Sequence, residues 1–145
     1  MLFLKMQIKV KLWLTICSIQ HIIELGEGVN MFEVEFYDTK DGYCPVREFL
    51  NSLEPKMLAK TLRTIDLLEV NGPVLREPYS GSMGDGIFEL RTKQGSNITR
   101  VFYFFFVGQK VILTNGLLKK TRKTPKQDID LAKKYRDDYM RRFGK

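Results

Sequence analysis

The residues of this 145-residue sequence best suited to chemistry are cations that two predicted hairpins bring together. If Gly95-Ser96 is a two-residue hairpin loop, Arg91 lies directly opposite Arg100 on the neighbouring strand. If Gly108-Gln109 is a second such loop, Lys119 lies on the same face, one pleat further along. Like charges at directly opposed positions are unfavourable. The pattern therefore predicts an anion-binding site or a compensating carboxylate.

Glu89 lies beside Arg91 on this predicted face. It either pairs with the two arginines in a surface ion network or is a candidate general base. The same face carries apolar residues at its other end: Phe102, Phe104, Phe106, Val111 and Leu113. We expect the opposite face to pack on helices through Phe88, Leu90, Val101, Tyr103, Phe105, Ile112 and Leu118. A face that is half apolar and half cationic fits an anion site beside a partner-binding surface.

Positive charge is concentrated at the end of the chain. The whole sequence has a formal charge of +7, yet residues 31–107 hold 9 basic and 11 acidic side chains and residues 108–145 hold 12 and 4. Directly after the last predicted strand comes a run of cations: Lys119, Lys120, Arg122 and Lys123. A segregated basic charge favours a polyanion such as nucleic acid as partner, although such a run is also typical of a solvated loop.

Composition excludes several classes of protein. Apolar residues make up 43% and aromatic residues 12%, so the chain does not have the composition of a disordered protein. Cys17 and Cys44 lie far apart and His21 is the one histidine, so we predict neither a metal site nor a disulfide framework. A reducing, cytoplasmic location follows as the expectation, and so does the absence of a cofactor.

The first thirty residues resemble a targeting segment, but they match neither a membrane span nor a signal peptide. The uncharged run Leu12–Ile23 is shorter than the roughly 20 residues of a membrane span, and no small-residue cleavage site follows it. Gly26-Glu27-Gly28 requires purine-rich codons typical of a ribosome-binding site just before Met31. We therefore expect residues 1–30 to be a non-native or disordered extension and residues 31–145 to form one domain; a genuine strand-helix extension is the alternative.

The remaining chain predicts an α+β fold. An N-terminal strand over residues 32–37 precedes a two-helix hairpin whose helices begin at Pro45 and Pro55. Residues 80–86 are predicted as a loop, with a weak strand before them at residues 75–79. Three strands over residues 87–93, 98–107 and 110–119 form an antiparallel meander. Thr124-Pro125 then predicts the cap and first turn of a closing basic helix.

These segments together resemble the phage-derived, HigB-like branch of the RelE/ParE toxin superfamily. The similarity runs from Met31 to about Tyr139 and rests on four segments: Pro45–Leu50, Phe88–Arg91, Arg100–Phe105 and Leu117–Pro125, followed by Ile129 and Ala132. It implies a RelE-like fold and the toxin of a type II toxin–antitoxin system. It does not extend to residues 1–30.

The resemblance implies a metal-independent endoribonuclease that cleaves mRNA on the ribosome. In this chemistry the ribose 2′-hydroxyl attacks the adjacent phosphorus, and cations stabilise the charge that gathers on the phosphoryl oxygens. The residues that match the family's catalytic cations are Arg91, Arg100, Lys119 and Lys120, with Arg122, Lys123 and Lys126 as further RNA contacts. The implied partners are a helix-turn-helix antitoxin, mRNA with ribosomal RNA, and operator DNA through the antitoxin alone; no membrane is implied.

The general base is the point at which this sequence departs from its relatives. Ile129 lies near the position where some relatives carry a tyrosine. Glu89, a lysine of lowered pKa, or in-line positioning on the ribosome are the remaining alternatives. Two other functions stay open: a ParE-like inhibitor of DNA gyrase without nuclease activity, and a degenerate toxin that only binds its antitoxin.

Overall fold

The computed structural model of the chain describes residues 31–119 and 123–144. It confirms the predicted α+β class and the order of most elements. The strands are β1 (Glu33–Phe36), β2 (Ser80–Gly84), β3 (Ile87–Gln94), β4 (Asn97–Phe106) and β5 (Lys110–Lys119). The helices are α1 (Pro45–Asn51), α2 (Pro55–Asn71) and α3 (Lys126–Phe143), with a 3₁₀ turn at Gly72–Val74. The prediction for residues 1–30 lies outside the described residues.

The five strands form one sheet in the order β1-β5-β4-β3-β2. The four strands β2 to β5 are a meander of antiparallel neighbours, whereas β1 pairs parallel to β5 through Val34 opposite Val111. The α1–α2 hairpin carries the chain from β1 to β2 at the opposite edge of the sheet, and the meander then returns the chain to β5 beside β1. The first predicted strand, β1, is therefore one edge strand of the sheet, and β2 is the other.

Helices cover both faces of the sheet. Leu50 of α1 and Leu68 of α2 pack with Val101 and Tyr103 of β4 on one face. On the other face, Ala132 and Tyr139 of α3 pack with Phe102, Phe104, Ile87 and Ile112. The expectation that Phe102 and Phe104 belong to an uncovered partner-binding surface is wrong, because α3 buries both.

A bulge in β5 changes the predicted faces of that strand. Val101 lies opposite Gly116 but Tyr103 lies opposite Leu113, so β5 places two residues, Thr114 and Asn115, against one residue of β4. The extra residue moves Val111 and Leu113 to the α1–α2 face and Ile112 to the α3 face, contrary to prediction. The β4–β5 turn also has three residues, with Gly108 and Gln109 at positive φ of 78° and 62°.

The glycine-rich segment before β3 is a strand and not the predicted loop. Ser80 pairs with Leu90 and Gly81 with Glu89. The Ser80 hydroxyl, 5% exposed, lies 2.6 Å from the Tyr103 hydroxyl. Pairing with β3 and this buried contact outweigh the weak strand propensity of Ser80–Gly84. The strand expected over residues 75–79 is absent from this described part of the chain.

Candidate active site

The predicted pairing of the two arginines is observed. Arg91 lies opposite Arg100, Arg100 lies opposite Leu117, and Ile98 lies opposite Lys119. Directly opposed residues share a face, so Arg91, Arg100 and Lys119 lie on the same face of the sheet. This face is the one that α3 covers further along, at Phe102 and Phe104. The cations therefore lie at the end of the face where the apolar cover stops.

Lys93 is a fourth cation on this face. It lies opposite Ile98, which in turn lies opposite Lys119, so Ile98 separates the two lysines across β4. Lys93 is exposed and Lys119 is partly buried. The sequence contained the signal for Lys93, because the same hairpin register that places Arg91 opposite Arg100 places Lys93 opposite Ile98. The prediction did not include Lys93, because the residue directly opposite it, Ile98, carries no charge.

Glu89 is the carboxylate that joins the two arginines. Its Oε1 contacts Arg100 Nη1 and lies 3.2 Å from Arg91 Nε. The ion network, one of the two alternatives for Glu89, is observed, but its predicted surface position is wrong: the side chains of Glu89 and Arg100 are only 2% and 3% exposed. Burial of an ion pair requires close partners, and here each guanidinium offsets the desolvation of the shared carboxylate.

Thr124 completes the polar partners of Glu89. Its hydroxyl donates to Glu89 Oε2 at 2.6 Å and accepts a hydrogen bond from Arg100 Nη1 at 3.1 Å. The residue was predicted as the cap of α3, but α3 begins after Pro125 and has no side-chain cap. Thr124 instead fixes the segment that enters α3 to the buried ion pair. Nothing in the sequence signalled this contact, which joins residues 35 positions apart.

Arg91 is held from the other side by Glu77. The distance from Arg91 Nη2 to Glu77 Oε1 is 2.5 Å, and the Arg91 side chain is 25% exposed against 70% for Glu77. Gly81 makes room for this arrangement, since a Cβ there would lie 2.5 Å from Arg91 Nη2. We call the group of Glu77, Glu89, Arg91, Arg100 and Thr124 the Glu89 cluster.

The remaining predicted site residues lie at or beyond the edge of the Glu89 cluster. Lys123 and Lys126 are exposed, on the segment that leads through Thr124 into α3. Lys120 and Arg122 lie outside the described residues. Both carboxylate oxygens of Glu89, the predicted candidate base, accept hydrogen bonds or ion pairs, and the side chain is nearly inaccessible to solvent.

A groove of about 840 Å³ adjoins the Glu89 cluster. Helix α2 forms one wall through Lys60 and Arg63, and β3 forms the other through Arg91 and Lys93. Glu77 and Tyr79 lie at the end formed by the segment before β2. We call this feature the α2–β3 groove.

Residues 31–119 and 123–144 contain no group of three His, Cys, Asp or Glu side chains placed to hold a metal ion together. None of the helices in that part of the chain combines the length and apolar character needed to cross a membrane.

Comparison with known proteins places the site within a family. The model of the family described as Phage derived protein Gp49-like (DUF891) matches residues 48–137, which include the whole Glu89 cluster. Among solved structures, a chain from the crystal structure of the archaeal RelE-RelB complex of Pyrococcus horikoshii OT3 is similar. It has 22% identity and a TM-score of 0.42 over 65% of this chain and 100% of that one. No curated protein matches. By the family match over most of its length, the chain belongs to the Gp49-like phage-derived protein family.

Proposed function

We propose that this protein is the toxin of a type II toxin–antitoxin pair, of the HigB-like branch, and that it cleaves mRNA on the ribosome. The observation that carries the proposal is the row of cations on one sheet face: Arg91 and Arg100 directly opposed, with Lys93 and Lys119 one pleat beyond. Cations fixed on a rigid sheet stabilise a charged phosphoryl group without reorganising during the reaction.

The proposed reaction needs few groups from the protein. The 2′-oxygen bonds to phosphorus as its proton leaves to water, the bond from phosphorus to the 5′-oxygen breaks, and the 5′-oxygen takes up a proton. The products are a 2′,3′-cyclic phosphate and a 5′-hydroxyl. Charge gathers on the phosphoryl oxygens, so positioning and charge stabilisation supply most of the catalysis.

Because the cations differ in exposure, we propose different roles for them. Arg91 and Lys119 are the residues we assign to the scissile phosphate, because both reach solvent on the cationic face. Arg100 is a positioning residue, since its buried guanidinium fixes Glu89 and thereby Arg91. Glu89, with both oxygens engaged, is likewise a positioning residue and not the base. We retain Lys120 as a proposed catalytic cation and Arg122, Lys123 and Lys126 as proposed RNA contacts.

Primer extension after induction in a bacterial host tests this function. We expect the wild type to arrest growth and to produce new 5′ ends in a reporter transcript. When translation initiation is blocked, these new 5′ ends should disappear. Arg91→Ala and Lys119→Ala should each abolish cleavage. Lys134→Ala, which removes an exposed cation of α3, should cleave like the wild type.

Intact transcripts together with impaired DNA supercoiling would overturn the nuclease and favour the gyrase inhibitor. Intact transcripts with normal growth would favour a degenerate toxin that only binds its antitoxin. A helix-turn-helix antitoxin remains the proposed partner, with operator DNA bound through it.

We also propose that residues 31–145 are the functional unit and that translation begins at Met31. Mass spectrometry of the natively expressed protein should find Met31 or Phe32 at its N-terminus. Peptides from upstream of Met31 would contradict this proposal.

A further inference from the structure

The α2–β3 groove exists because β2 stops short of the end of β3. Ser80 is the first residue of β2 and pairs with Leu90. The Arg91 amide donates to the Tyr79 carbonyl oxygen at 2.7 Å, and no described strand pairs with this edge of β3 beyond that bond. Thr92 and Lys93 therefore lie at an open sheet edge, with α2 above it.

The walls of this groove are strongly cationic. Lys60 and Arg63 of α2 line the groove together with Arg91 and Lys93 of β3, and the one carboxylate among the lining residues is Glu77, which already pairs with Arg91. No ion pair of Lys60, Arg63 or Lys93 is found among the described residues. Cations gathered without counter-charges repel one another, and a bound polyanion removes that cost.

The helix extends this charge into a row. Lys56, Lys60 and Arg63 fall at i, i+4 and i+7 of α2, so they line one side of the helix over about 10 Å. Lys56 is exposed at the N-terminal end of the helix. A row of this length suits an extended chain of phosphates better than a single anion.

An aromatic ring and apolar surface lie beside the cations. Tyr79 is 43% exposed and Leu67 is 37% exposed, and both line the groove. Cations that track a backbone, combined with an exposed aromatic ring on which a base can stack, are the features that bind single-stranded nucleic acid. An acidic protein surface would use the cations but would not need an exposed ring for stacking.

We propose that the α2–β3 groove binds the ribose-phosphate backbone of single-stranded RNA, with a base stacked on Tyr79. This RNA would continue from the sheet face where Arg91 and Lys119 bind the scissile phosphate. This inference rests on the proposed function and adds a second binding site to it. Arg91 belongs to both the groove and the Glu89 cluster, so one strand could pass from one to the other. The strand is either mRNA or an unpaired segment of ribosomal RNA.

Fluorescence anisotropy with a labelled, unstructured 12-nucleotide RNA tests this inference on the full chain. We expect Lys60→Ala/Arg63→Ala to weaken binding about tenfold. The slope of log affinity against log salt concentration should fall by about 1.4, because about 0.7 is lost per phosphate contact on a single strand. Tyr79→Ala should weaken binding without changing this slope. Lys134→Ala/Arg141→Ala removes the same charge from exposed positions of α3 and should change affinity less than twofold.

Lys60→Gln/Arg63→Gln repeats the measurement if the alanine variant does not fold. Equal losses in the groove and control variants would overturn the inference, because they would reflect net charge alone. Failure of the wild type to bind the RNA and the ribosome would overturn it as well. Binding of poly-L-glutamate that depends on Lys60 and Arg63, with RNA binding unchanged, would assign the groove to an acidic protein instead.

Sedimentation with 70S ribosomes that lack mRNA separates the two sources of RNA. If the groove variants no longer bind the oligonucleotide but still sediment with the ribosome, the groove binds mRNA. If they bind the oligonucleotide but no longer sediment with the ribosome, the groove binds ribosomal RNA. Primer extension on the same variants keeps the two proposals apart. If the wild type binds RNA through the groove but cleaves no transcript, the nuclease proposal is rejected and the groove proposal stands. If the groove variants cleave transcripts and bind RNA like the wild type, the groove proposal is rejected and the nuclease proposal stands.

Discussion

Arg91 and Arg100 lie directly opposite each other on β3 and β4 and share one carboxylate oxygen, Glu89 Oε1. Two like charges at opposed positions of a sheet repel each other unless a counter-charge lies between them. Glu89 supplies that charge, and it divides the arginines into a buried member, Arg100, and a partly exposed member, Arg91.

Loss of one partner of the buried pair should cost more stability than loss of both. Arg100→Ala leaves Glu89 buried with Arg91 as its remaining ion pair among the described residues, and we expect the free energy of unfolding to fall by about 3 kcal/mol. Arg100→Met/Glu89→Met should lose less than Arg100→Ala alone. Urea denaturation monitored by circular dichroism measures both. A double variant less stable than the single variant would contradict the buried ion pair.

The Thr124 hydroxyl should support both stability and activity. Thr124→Val removes the donor to Glu89 Oε2, and we expect a loss of about 1–3 kcal/mol from an unsatisfied buried acceptor. Growth inhibition should also weaken, because the segment that enters α3 loses its hydrogen bond to the Glu89 cluster. Thr124→Ser keeps the hydroxyl and serves as the control. A valine variant as stable as wild type would show that Thr124 does not matter to the cluster.

Glu77 forms an ion pair with Arg91, whose guanidinium we assign to the substrate phosphate. The Glu77 side chain is 70% exposed, so Glu77→Gln should change stability by less than about 1 kcal/mol. Because Arg91 then loses a competing carboxylate, we expect the RNA oligonucleotide to bind several-fold more tightly in the anisotropy measurement. Glu54→Gln removes an exposed carboxylate at the start of α2 and sets the effect of net charge alone. Equal gains in both variants would contradict competition between Glu77 and phosphate.

Alkaline pH should destabilise the protein through two tyrosines of the α3 core. Burial, together with the nearby carboxylates of Asp138 and Glu35, raises the pKa of Tyr37 and of Tyr139 to about 12. In the unfolded chain a tyrosine loses its proton near pH 10. Between these values the folded state holds more protons than the unfolded state, so stability is full below pH 10 and falls as pH rises towards 12.

Melting temperature measured from pH 8 to 12 tests this sign. Tyr37→Phe and Tyr139→Phe should each reduce the steepness of the fall, whatever they do to stability at pH 8. Tyr43→Phe, at a position that is 52% exposed, should leave the steepness unchanged. A melting temperature that is constant up to pH 12 would contradict the raised pKa values.

Local patterns were sufficient to predict most elements. Pro45 and Pro55 begin α1 and α2 as predicted, and Asn71 ends α2 before Gly72, whose φ is +51°. The Gly95-Ser96 turn fixes the register that places Arg91 opposite Arg100. These features depend on residues close together in the chain, where spacing and backbone preference act directly.

Contacts between distant segments decided the rest. The bulge at Thr114 and Asn115 leaves Val111, Ile112 and Leu113 on faces opposite to those predicted, and no local preference in that strand marks it. Ser80–Gly84 becomes a strand only because β3 offers it a partner edge.

The sequence by itself determined the α+β class, the register of the β3–β4 hairpin and the shared face of Arg91 and Arg100. Lys119 lies on that face because the three-residue β4–β5 turn and the bulge in β5 offset each other. Only the tertiary structure decided that Arg100 is buried and Arg91 reaches solvent. That decision depends on Thr124, whose hydroxyl contacts Glu89 and Arg100 from a distant part of the chain. Exposure is a property of everything packed around a side chain, and a strand pattern specifies only the direction in which the side chain points.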